Sequence, residues 1–141
     1  MTFNTYERRK LEVFFACLTS GFGFWLLLPA SSMTAAAHEH LIAMAPEMAW
    51  GGMFLTNGLS HCAWLAVNGA RWWSPIVRLF AAFGSASLYL IWAAAIAQYD
   101  GASTAVYTYT GLSMGAAACC VFAWRDAITA IRIRHVRSAH A

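Results

Sequence analysis

Charge is scarce in this chain. Only 11% of its 141 residues are Asp, Glu, Lys or Arg, while 60% are hydrophobic; soluble domains carry roughly 25% charged residues. So few charges cannot solvate the surface, which excludes an ordinary water-soluble globule and calls for lipid around the molecule. Signatures of chemistry are missing too. There is no phosphate-binding glycine loop, no GxSxG, no HExxH and no carboxylate pair, so no enzyme activity, catalytic residue or cofactor is expected. Zinc-site spacing is absent among Cys17, Cys62, Cys119 and Cys120, all of which fall in apolar stretches and read as small packing residues. His38-Glu39-His40 offers two metal ligands without a third, so no metal site is expected. Proline occurs only at positions 29, 46 and 75, each at the edge of an apolar run.

Long apolar runs are what the chain does have. Residues 11–29 are nearly all apolar, with only Glu12 charged. At 1.5 Å per residue they cover about 28 Å, enough for the hydrocarbon core. Residues 46–67, 75–97 and 105–124 form three further runs. Pro46 suits a first helical turn, where its missing N–H costs nothing, and Glu47 suits the positive end of the helix dipole. The expected fold is all-α: one transmembrane domain over residues 1–141, built as an antiparallel bundle of four spans. Residues 30–45 are too polar to span and read as a short outer surface helix. Residues 125–141 read as a basic helical extension along the membrane surface. Ala35-Ala36-Ala37 before His38 also has the form of a signal-peptidase site. The first apolar run is long for a signal sequence, and we expect it to be retained as a span.

Orientation follows from the basic residues. Four spans put the N-terminus, residues 68–78 and the C-terminus on one side, and that side holds all nine Lys and Arg residues. The opposite side carries Glu39, Glu47, Asp100, His38 and His40. The positive-inside rule then places both termini in the cytoplasm. Trp64, Trp72, Trp73 and Trp124 are expected at the cytoplasmic interface. Trp25, Trp50 and Trp92, with Tyr99, Tyr107 and Tyr109, are expected at the outer one.

Asn57 and His61 stand one helical turn apart at membrane depth, beside Ser60. Polar groups there must face the bundle interior and find partners. Interhelical hydrogen bonding, worth about 0.6–2 kcal/mol per bond, is the plainer role; a ligand site or polar path is the sharper one. Gly111 and Gly115 form a GxxxG in the fourth run, Cys17 and Gly21 a small-xxx-small pair in the first, and Ala82 and Ala86 another in the third. Such pairs let helix backbones approach closely in lipid, here mainly within the bundle. Arg125, Arg132, Arg134 and Arg137 suit anionic lipid at the cytoplasmic face. No aromatic interleaving or fold motif supports nucleic-acid binding.

The stretches YERRKLEVFF, GFGFWLLLP, MAPEMAWG and NGLSHCAWLAVNGARWWSPIVR resemble those of small four-span inner-membrane proteins of tailed phages and prophages, a group without one settled activity and partly holin-like. The basic tail matches holins, but four spans exceed what most holins have. The resemblance implies a bacterial inner membrane and a role in lysis, membrane permeabilisation or exclusion of competing phages. The function expected is that of a non-enzymatic membrane protein acting through self-assembly or partner contact. The alternatives are an accessory subunit of a respiratory or photosynthetic membrane complex, and a small transporter using Asn57 and His61.

Overall fold

A computed structural model describes residues 5–29, 33, 36–67, 73–99 and 101–139. Side chains of residues 5–7, 134 and 136–139 are outside that description, as are the turn at 68–72 and Ala35 of the cleavage-like site. The described residues form α-helices and one short 3-10 turn, with no strand. The helices are α1 (Thr5–Leu26), α2 (Glu39–Met44), α3 (Glu47–Ala66), α4 (Ser74–Ala97) and α5 (Thr104–Ala139), and Ala36–His38 is the 3-10 turn before α2.

Local chemistry sets the helix ends. α1 begins within the charged cluster before residue 11 and closes at Leu26. Leu27 N and Leu28 N then donate to Phe24 O and Trp25 O, at 3.1 and 3.2 Å. This tight turn precedes Pro29, which disfavours helical geometry in the residue before it. Pro46 sits just outside α3 with extended backbone, and its carbonyl accepts from Ala49 N at 2.9 Å. Pro75 lies in the first turn of α4, where no N–H is needed.

The four long helices alternate in direction. Gly23 of α1 lies against Leu55 of α3, and Ser20 against Gly58. Asn57 of α3 meets Ala81 and Ser85 of α4. Ser113 of α5 donates to Ala86 O of α4 at 2.8 Å. Along α3 and α4 the contacts run Phe54–Tyr89, Asn57–Ala81 and Trp64–Trp73, and along α4 and α5 Arg78–Asp126, Ala86–Ser113 and Tyr89–Tyr109; in each helix pair one residue number rises as its partner's falls, which is antiparallel packing. α1 pairs chiefly with α3, and α4 with α5.

The α1–α3 seam is made by glycine. A side-chain carbon at Gly23 would fall on the backbone of Leu55, and one at Gly58 on the backbone and hydroxyl of Ser20. Close backbone approach of this kind gives the seam its van der Waals contact. At one end of the bundle an aromatic core forms around Phe54, Tyr89 and Trp92, closed over by Leu41 and Met33. Phe22 packs edge-on to Phe54 and Trp92, at centroid distances of 4.9 and 5.0 Å.

The outer surface is apolar on every long helix. Phe14, Phe24 and Trp25 of α1 are exposed, as are Met48 and Leu59 of α3, Phe80, Phe83 and Leu90 of α4, and Tyr107, Met114 and Val121 of α5. Two helices, α4 and residues 104–133 of α5, are long and apolar enough to cross a membrane. α1 and α3 are less apolar, because Arg9, Lys10 and Glu12 lie on one and Asn57 and His61 on the other.

Three sequence expectations change. Trp50 and Trp92 are 3% and 1% exposed, so they belong to the aromatic core rather than an interfacial belt; Trp92 packs edge-on to Phe22 and Phe54, and Trp50 edge-on to Trp92. The short helix expected over residues 30–45 is confined to α2, Glu39–Met44, and its Leu41 faces protein, with Leu41 O accepting from Trp50 Nε1 at 3.0 Å. The basic stretch is not a separate surface element. α5 is unbroken through it, and nothing in its sequence after Thr104 is a proline or glycine stop beyond Gly115. Arg8 lies over the Phe122 ring, so the first turn of α1 stands level with about Arg125. Ala127 is still buried, while Ile131, Arg132 and Ile133 are exposed, so α5 leaves the bundle only near its end.

Candidate functional site

The bundle turns the usual distribution of charge inside out. Glu12 of α1 and Arg78 of α4 are each 1% exposed. Arg78 Nε donates to Glu12 Oε2 at 2.8 Å, and Arg78 Nη2 to Glu12 Oε1 at 2.7 Å. The planar guanidinium fork matches the carboxylate with two parallel bonds, the strongest neutralising geometry available to a buried pair. Arg78 Nη2 also donates to Asp126 Oδ2 of α5 at 3.2 Å. One arginine thus joins α1, α4 and α5.

His61 of α3 completes the cluster. It is fully buried, its Nε2 stands 4.0 Å from Glu12 Oε2, and neither ring nitrogen has a hydrogen-bond partner among the described residues. That distance is beyond a hydrogen bond. All four long helices therefore contribute a polar side chain to this end of the bundle.

A second polar tier lies one to two turns further in. Asn57 Nδ2 donates to Ala81 O at 3.0 Å and to Ser85 Oγ at 2.9 Å. Thr19 Oγ1 donates to Ser85 Oγ at 3.3 Å and lies 3.4 Å from Tyr89 Oη. Gly84 makes room for this tier, since a side-chain carbon there would strike Asn57 Oδ1. The polar ladder stops at Tyr89. Beyond it Phe22, Phe54, Trp92 and Tyr109 fill the interior.

The small-residue pairs separate into inward and outward members. Gly115 faces Phe15, whose ring would be struck by any added carbon. Ala82 is buried beside Phe15 and Cys119, with Ala86 packed on that cluster. Gly21 and Gly111 have no atom within 4 Å of the position a side chain would take, and Cys17 is exposed. The packing expected through Cys17, Gly21 and Gly111 is therefore carried inside the chain by Gly23, Gly51 and Gly58 instead. Arg125 and Arg132 are exposed; the side chains of Arg134 and Arg137 are outside the described residues. Glu39 and His40 are exposed, and no cluster of three His, Cys, Asp or Glu side chains suited to a metal occurs among the described residues.

Sequence reasoning missed the ion cluster. It gave Glu12 no partner and counted Arg78 with the basic residues of one side, whereas the two meet in the interior. The available signal was one acid and one base of opposite sign, each a short way into an apolar run at the same end of the bundle. Charged residues at such depth pair with one another. No family profile, curated protein or solved structure matches this chain.

Proposed function

We propose that the chain is a non-enzymatic, four-span integral protein of a bacterial inner membrane, with both termini cytoplasmic, which works by assembling with further copies or with a membrane partner. The observation that carries this reading is the inversion of polarity. Glu12, Arg78 and His61 are sealed inside, while large apolar side chains cover all four long helices outside. A surface of that kind is stable only against lipid or other apolar helices. The phage or prophage context, with a role in permeabilisation or exclusion, rests on the resemblance of the four quoted stretches.

The interior supports assembly over transport. Both Asn57 bonds are spent on α4, and the aromatic core closes the way beyond Tyr89. A cysteine placed at Ser103 in a cysteine-free background should react with an impermeant maleimide from outside the cell, and one at Ser138 should not. The reverse pattern would overturn the orientation. Dye entry and growth arrest on overexpression would support permeabilisation; recovery in fixed ratio with a large membrane complex would instead support an accessory subunit.

A further inference from the structure

The bonds of the ion cluster cut across the main packing of the bundle. α1 pairs chiefly with α3, and α4 with α5. Each pair of helices holds one carboxylate and one basic group: Glu12 and His61 in the first, Asp126 and Arg78 in the second. Yet both Glu12 oxygens accept from Arg78, at 2.7 and 2.8 Å, and His61 Nε2 is left 4.0 Å from Glu12 Oε2. Arg78 is the junction. It holds Glu12 across the two pairs, and Asp126 within its own at 3.2 Å.

His61 is fully buried, and neither ring nitrogen is bonded among the described residues. A buried polar group in that state calls for an explanation. Two carboxylates share one guanidinium here, so a proton on the imidazole would balance the cluster. A buried imidazolium needs an anion in contact, and the anion beside it is Glu12. Closing the gap by about 1 Å, to hydrogen-bond length, draws Oε2 away from Arg78 Nε. Arg78 is not stranded by that loss, since Asp126 already accepts from Nη2. The other charged and titratable groups in reach are Asp126, Cys119 and Cys120 of α5 and Arg9 of α1, which act on Glu12 and Arg78; Cys62 follows His61 on its own helix.

We propose that the cluster is a proton-driven switch: a proton taken from water by His61 transfers Glu12 from Arg78 to His61, releasing α1 from α4 at this end of the bundle. Each pair of helices is then neutral within itself, as Glu12 with His61 and Arg78 with Asp126. α3 and α4 stay joined at this end, where Ser74 Oγ donates to Trp64 O and Trp64 packs on Trp73. Further in, the bond from Asn57 to Ser85 and the aromatic core hold the two pairs together. The motion is therefore an opening of one end.

The test uses the full chain in mild detergent, in a cysteine-free background. Spin labels are placed at the exposed positions Val13 of α1 and Phe80 of α4, and in a second sample at Trp25 and Leu90 toward the other end. Distances are measured between about pH 8 and about pH 4, the range over which imidazoles titrate in proteins, with helicity followed in parallel. The distance between labels at 13 and 80 should lengthen in acid, and that between 25 and 90 should hold. His61→Leu and His61→Gln cannot take up the proton, and whichever of them folds should abolish the change. Asp126→Asn deprives Arg78 of its second carboxylate and should move the midpoint to lower pH. No lengthening in the wild type would overturn the proposal, as would lengthening that survives loss of His61. Equal movement at both ends would mean general loosening in acid and overturn it too. An unmoved midpoint in Asp126→Asn would rule out the exchange of carboxylates.

Discussion

Glu12 and Arg78 stand 66 residues apart in the chain and meet through two bonds of 2.7 and 2.8 Å, both side chains sealed from the surface. Breaking such a pair from one side leaves a charge buried without compensation, at a cost of about 3–5 kcal/mol. Arg78→Leu should therefore lower the unfolding midpoint sharply in detergent. Combining it with Glu12→Leu should recover much of the loss, because no fully buried charge remains; Asp126, which also loses Arg78, is 36% exposed. A double variant no better than the single one would show that the pair is not the stabilising unit.

Asn57 and His61 share a helix face but should answer differently to removal. Asn57→Leu loses two bonds to α4, about 0.6–2 kcal/mol each in a membrane bundle. His61→Leu loses none among the described residues and should be neutral or stabilising, since a buried polar group without partners is a cost. Chemical unfolding of the two variants side by side checks this. A folded, inserted His61→Leu protein without biological activity would instead make the imidazole functional.

The glycines divide by face, and so should their variants. Gly23→Leu and Gly58→Leu push a side chain into the opposite backbone and should prevent stable α1–α3 packing, seen as early loss of helicity on heating. Gly115→Leu, which strikes the movable Phe15 ring rather than backbone, should cost less, about 1–3 kcal/mol as overpacking typically does. Identical melting of all three would mean the seam is looser than its geometry.

The Ser20–Gly58 contact and the antiparallel run of α1 and α3 bring Cys17, about one turn before Ser20, alongside Cys62, about one turn after Gly58. Copper-phenanthroline oxidation should join them within one chain, detected as a tryptic cross-link and as loss of maleimide reactivity at both. The deeply buried Cys119 should stay reduced. A cross-link between chains, with none within, would contradict the α1–α3 register.

Much of the architecture was legible because it is local. Apolar runs mark α1, α3, α4 and the first part of α5, and proline marks the edges of the first three. The continuation of α5 was harder to read, since arginine and isoleucine both permit helix and the run gives no stop signal between tail and span. The tryptophans misled for a related reason: an aromatic near a span end suits an interface or a core equally, and only neighbours choose. For Trp92 those neighbours are Phe22, Phe54 and Tyr109.

By itself, the sequence determined that the chain is helical, apolar outside and basic at one end, because composition and period act within a few residues and against the solvent. Tertiary structure alone decided which polar groups meet. Glu12 could pair with Arg78 and Asn57 with Ser85 only once the rotation and depth of four helices were set together. It also decided that Gly23 and Gly58 face a backbone while Gly21 and Gly111 face outward. Glycine spacing is alike on either side of a helix, and what lies opposite is a property of the packed bundle.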